Sequence, residues 1–177
     1  MLAAAPAVAL ADKPITMSSP VPPSPSRLEL QVTSNAFTAN QPIPPEFTCD
    51  GTDAAPPLAW SQVPKETRSV AVFVDDADAP RGTFTHWLIT GISPLTQSLG
   101  SGGALPQGAV AAKNSKGEAG YTGPCPAAGK HRYYFHVFAL DTALATPVDK
   151  VDFLRAIDGH VLADGVVMGT YQRTTTP

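Results

Sequence analysis

The chain has 177 residues, with 12 Lys and Arg against 15 Asp and Glu and a formal net charge of −3. It lacks the basic run whose phosphate contacts release counterions, which excludes a general nucleic-acid binder. Hydrophobic residues make up 43% of the chain, enough for the core of one domain plus a tail. No stretch approaches the ~18 apolar residues of a membrane helix, so stable membrane insertion is not expected.

Residues 1–11 are Ala-rich and apolar, and Ala9-Leu10-Ala11 fits a small-x-small cleavage site before Asp12. No Lys or Arg precedes this run, as a secretory signal normally requires. Two readings stand. One is a truncated signal-like segment, implying a periplasmic or secreted protein; the other is an ordinary tail on a cytoplasmic one. Residues 12–27 carry Pro14, Pro20, Pro22, Pro23 and Pro25 among Ser and Thr and read as linker. The domain is expected over residues 28–177.

Within it, residues 28–33 alternate, with Leu28, Leu30 and Val32 on one face. Residues 69–74 form a nearly continuous apolar run, the pattern of a strand buried on both faces. Residues 86–90 read as another strand. Residues 132–140 place Tyr133, Phe135, Val137 and Ala139 on one face and Tyr134, His136, Phe138 and Leu140 on the other, which suggests a central strand. Asp149 can cap a helix with Asp152 in its first turn. Val151, Leu154, Ile157 and Val161 recur at helical spacing, and Gly159 marks a kink or a break between two helices. Residues 166–171 form the last strand. Many short strands with one or two short helices near the C-terminus predict a mainly β fold, an antiparallel β-sandwich.

Two segments carry the chemistry. Val74-Asp75-Asp76-Ala77-Asp78-Ala79-Pro80 leads to Phe84-Thr85-His86-Trp87, and Gly120-Tyr121-Thr122-Gly123-Pro124-Cys125-Pro126 leads to His131-Arg132-Tyr133. With Phe47-Thr48-Cys49-Asp50-Gly51, Gly159-His160-Val161-Leu162 and Gly169-Thr170-Tyr171-Gln172-Arg173, they resemble the phosphatidylethanolamine-binding protein family, in particular its bacterial and archaeal Raf-kinase-inhibitor-like branch. The resemblance runs from about Phe37 to Arg173. Two departures stand out: Ala77 replaces the first proline of the family's Asp-Pro-Asp-Ala-Pro, and Ala127 replaces a second proline after Pro126. The eukaryotic inhibitor branch carries a C-terminal helix near its pocket, whereas here the last strand-like segment is followed closely by Pro177.

The resemblance implies a small anion pocket built from Asp76, His86, His131 and Tyr133, with Gly123 and Pro124 as one wall and Asp78 and Phe84 in support. A phosphate group wants imidazolium, phenol and backbone N–H donors. Asp76 then makes sense as the partner of an imidazole or of a ligand ammonium. Each residue also has a plainer role: turn chemistry for Asp76 and Asp78, hydrogen-bonded core histidines for His86 and His131, and a core position for Tyr133; His136 and His160 read as structural. Ala79-Pro80 is a candidate cis bond. Cys49 and Cys125, both beside family motifs, form a disulfide in an oxidising compartment or remain two thiols in a reducing one.

Three function classes follow. The first is non-catalytic binding of phosphate or phosphoethanolamine-like headgroups. The second is a protease- or kinase-inhibitor-like regulator acting on a protein target. The third, a hydrolase, has Cys125 as its only evident nucleophile, with no Gly-x-Ser-x-Gly elbow and no His-Glu-x-x-His helix. No cofactor is expected, and the scattered His and Asp residues indicate no metal set. Oligomeric state is not readable from this pattern.

Overall fold

The computed structural model describes residues 27–144, 146–147 and 149–174; the signal-like segment and nearly all of the linker lie outside them. The strands are β1 Leu28–Glu29, β2 Gln31–Thr33, β3 Leu58–Ser61, β4 Ser69–Asp76, β5 Phe84–Ile92, β6 Ser98–Leu99, β7 Val110–Ala111, β8 His131–Leu140 and β9 Val161–Tyr171, with helix α1 at Lys150–Ile157. A six-stranded sheet runs β1-β9-β8-β4-β5-β7 and a three-stranded sheet runs β2-β3-β6. All pairings are antiparallel except β1 with β9. The fold is therefore mainly β, a sandwich with a helix on its outer side.

Strand β4 is the axis of the large sheet. Each of its residues is buried, as a continuous apolar run requires. On one face Val70, Val72 and Val74 join Trp87, Ile89, Phe135 and Val137 against Leu58, Trp60 and Leu99 of the small sheet. On the other, Ala71 and Phe73 join Leu88, Phe138 and Leu140 against Phe153 and Ile157 of α1. Strand β8 divides its side chains between the two cores at period two.

Three expectations need correction. Residues 28–33 are not one strand: Leu28–Glu29 pairs with β9 and Gln31–Thr33 with β3. The chain changes sheet at the buried Leu30, while Leu28 is exposed. Gly165 makes the crossing possible, because a Cβ there would sit 2.2 Å from the Leu30 carbonyl oxygen. The helical spacing also runs too far. Phe153 and Ile157 are the buried helix residues, whereas Val151 is exposed. Gly159, at φ +77°, separates α1 from a strand that already begins at Val161, so no second helix follows. The cap is as expected: the Asp149 carboxylate accepts from the N–H groups of Val151 and Asp152 at 2.8 and 3.1 Å. Finally, the described residues contain no cis peptide bond, so Ala79-Pro80 is trans.

Candidate functional site

The site lies at one end of the large sheet, where β4 finishes, β5 starts and β8 starts. Asp76 closes β4 and pairs in register with both Phe84 and Tyr133. His86 owes its position to a bulge. Val74 pairs with Trp87 and Asp75 with Thr85, which leaves His86 as the extra residue of β5. A bulge of this kind re-aims a side chain at a sheet end. The result is a cavity of about 370 Å³ lined by Asp76, Phe84, His86, Lys116, Gly123 and His131, with Ala79, Pro80, Cys125, Pro126 and Ala127 completing it.

Two imidazoles face this cavity with different partners. His131 Nδ1 donates to Asp76 Oδ2 at 2.7 Å, and the other Asp76 oxygen accepts the Asp78 N–H at 2.8 Å. His86 Nδ1 donates to the Thr122 carbonyl at 2.5 Å. A carbonyl only accepts, so this contact fixes the hydrogen on Nδ1 and leaves Nε2 for the cavity. The His86 ring is 5% exposed and packs against Phe84 at 4.8 Å and edge-on to Tyr133 at 5.2 Å between ring centroids. Burial pushes its pKa down to about 4, against the opposing pull of the Thr122 carbonyl and Asp76. His86 is therefore neutral at physiological pH, where the sequence suggested a pair of imidazolium donors.

The wall residues also depart from expectation. The Gly123 N–H is spent on Asp53 Oδ1 at 2.7 Å, and Pro124 has no N–H to offer. Gly123 therefore supplies a surface rather than a donor, and Pro124, expected beside it in the wall, is not among the residues that line the cavity. A Cβ at Gly123 would lie 2.4 Å from Asp53 Oδ1 and 2.6 Å from the Phe47 carbonyl oxygen, so only glycine fits. The Cys49–Cys125 disulfide ties the same wall to the loop after Phe47. It is reinforced by Cys49 N–H to the Pro124 carbonyl at 3.1 Å and Tyr121 Oη to the Phe47 carbonyl at 2.9 Å.

Tyr133 and Asp78 stand behind the cavity rather than on its lining. Tyr133 is 1% exposed, with its hydroxyl buried beside the Asp76 carboxylate. Burial first, then the nearby Asp76 charge, hold that phenol protonated by raising its pKa. Asp78 forms a two-pronged pair with Arg132 at 2.8 and 2.6 Å and accepts the Arg132 N–H. The Arg132 side chain holds the Asp78 carboxyl below the usual range. This clamp fixes the loop after β4 onto the start of β8. His136 and His160 lie elsewhere, bonded to Asp75 and Asp141.

Three contributors escaped sequence reasoning. Lys116 brings a cation to the cavity from an Asn114-centred turn, and an exposed lysine in a polar loop carries no signal of its own. Thr122 and Asp53 act through a backbone carbonyl and a long-range hydrogen bond, neither of which leaves a pattern in the sequence.

Known proteins place this arrangement. Residues 33–172 match the phosphatidylethanolamine-binding protein family. The chain belongs to that family. It is 42% identical over 150 residues to a UPF0098 protein of Methanothermobacter thermautotrophicus, covering 81% of this chain and 99% of the relative. A UPF0098 protein of Chlamydia trachomatis is 40% identical over 151 residues, covering 81% and 99%. Among solved structures, a phosphatidylethanolamine-binding protein homolog from Chlamydia trachomatis superposes with a TM-score of 0.78 at 40% identity, covering 82% of this chain and 99% of that one. YbcL of E. coli, described as a member of the mammalian family, gives 0.76 at 32%, covering 82% and 99%. The family's bacterial and archaeal branch is thus the setting of this chain, and ligand binding or regulation is its general role.

Proposed function

We propose that this protein binds a small anionic or phosphorylated group, such as phosphate or a phosphoethanolamine-like headgroup, and does no chemistry on it. One observation carries the reading: two imidazoles have their Nδ1 atoms committed to fixed acceptors 2.7 and 2.5 Å away, and both line one cavity with Lys116. Rings fixed in this way keep their Nε2 atoms in place before a ligand arrives. The Lys116 charge favours an anion, and Asp76 suits an ammonium group on the same ligand. The non-catalytic part of the proposal is supported by the disulfide, which removes Cys125 as a thiolate nucleophile. The same bond favours an oxidising location, periplasmic or secreted.

The test is a histidine-selective NMR titration with phosphate and with phosphoethanolamine, on wild type and on His131→Ala. The expected result is movement of the His86 and His131 signals in wild type, weakened binding in the variant, and still signals from His136 and His160. No movement at His86 and His131 under saturating ligand would sink the reading.

A further inference from the structure

We infer that His86 makes the cavity selective for an oxyanion that carries its own proton, an inorganic phosphate or a phosphate monoester in its hydrogen-phosphate form, over sulfate and over phosphodiesters. The inference rests on the anion-binding reading and names the chemical class that site accepts. The deciding geometry is the 2.5 Å contact from His86 Nδ1 to the Thr122 carbonyl. With the hydrogen held at Nδ1, Nε2 presents a lone pair, so the group opposite must donate. A P–O–H meets that need. Sulfate and a dialkyl phosphate have no O–H, and they set an anionic oxygen against the lone pair.

Protonating His86 would remove the conflict, and its surroundings resist this. The ring is buried between Phe84 of β5 and Tyr133 of β8. Asp76 and Asp53 favour a charged ring and Lys116 opposes it, but burial outweighs them all. His131 is different. Its Nδ1 partner is the Asp76 carboxylate rather than a backbone carbonyl. The cavity thus offers one histidine confined to accept and a lysine for charge, beside the Asp76-bound His131. A hydrogen phosphate, which donates to His86 and accepts from Lys116, matches both. A phospholipid headgroup is a diester and does not.

Calorimetry on the unmodified protein at about pH 6, where a ring with pKa about 4 is still neutral, compares inorganic phosphate, phosphoethanolamine, sulfate and dimethyl phosphate. Phosphate and phosphoethanolamine separate the free ion from the monoester. Sulfate and dimethyl phosphate are expected to bind at least about tenfold more weakly, the scale of an unmatched buried polar contact. Sulfate carries more charge than dihydrogen phosphate, so simple charge attraction predicts the opposite order. Sulfate affinity should also rise as pH falls towards about 4, approaching tenfold per unit, as uptake of one proton requires. Equal binding of sulfate and phosphate at about pH 6 would overturn the selectivity while leaving the anion site standing. Binding of none of the four would remove both.

Discussion

Asp75 and Asp76 are neighbours in β4, and each meets a histidine of β8, yet the two pairs differ in almost everything else. Asp76 holds His131 at 2.7 Å on the sandwich face, at the edge of an open cavity. Asp75 holds His136 at 3.2 Å on the opposite face. There the His136 ring stacks with Phe73, Tyr134 and Phe138. Asp75 is completely buried, and one of its oxygens has no partner. Burial raises its pKa despite the His136 hydrogen bond. An Asp–His pair is therefore not a site in itself. It becomes one where the strand ends and loops leave a cavity, and it becomes a packed polar contact where the strand continues under a hydrophobic cover.

The strongest way to break the contrast acts on the cavity wall. Replacing Cys49 and Cys125 together with Ser opens a closure of 76 residues and should cost about 4 kcal/mol by the chain-entropy model, read from urea unfolding. Ligand affinity should fall with it, while the His136 NMR signal stays in place. Next in size, His136→Leu strands the Asp75 carboxyl in the core and should cost about 3 kcal/mol, with phosphate-induced shifts at His86 and His131 retained. Loss of those shifts in a folded variant would show that the two faces are coupled.

The same buried pair makes a signed pH prediction. The folded Asp75 pKa lies above its ordinary value of 3.8. Its stabilising contribution is thus fully present below that value and is lost as pH rises through the folded pKa. Asp75→Asn keeps an acceptor for His136 and removes this loss, so its stability relative to wild type should improve as pH rises above 3.8. Denaturant midpoints across that range check it.

On the cavity face the expected effect is on binding, not folding. His131→Ala should weaken phosphate about tenfold to a hundredfold, the worth of a hydrogen bond to a charged group, with little change in unfolding midpoint. Smallest is Asp149→Ala, which removes the cap of α1 and should cost about 1 kcal/mol. It should speed hydrogen exchange beneath the helix, around Phe73 and Phe138, without touching phosphate affinity.

Much of this contrast was visible in the order of residues. Period-two alternation assigned Tyr133 and His136 to opposite faces, and the wholly apolar run before Asp75 announced a strand covered on both sides. The His136 and His160 roles were separable from those of His86 and His131 by family resemblance alone. What stayed hidden was how the site's polar groups are used. Gly123 faces the cavity, but its N–H belongs to Asp53. Tyr133 belongs to the motif but stands behind the lining. Ala79 and Pro80 line the cavity while Asp78 turns away to Arg132.

By itself, then, the sequence determined the mainly β sandwich class, the central strands and the capped helix. These follow from periodicity and local chemistry, which act over a few residues. Only the tertiary structure decided that the first strand changes sheet at Leu30, that a bulge turns His86 to its position, that Lys116 joins the cavity, and that His86 is held by a carbonyl where His131 is held by a carboxylate. Those outcomes depend on which backbone carbonyl or carboxylate a distant segment places beside a side chain. A linear pattern does not encode that placement until the chain has packed.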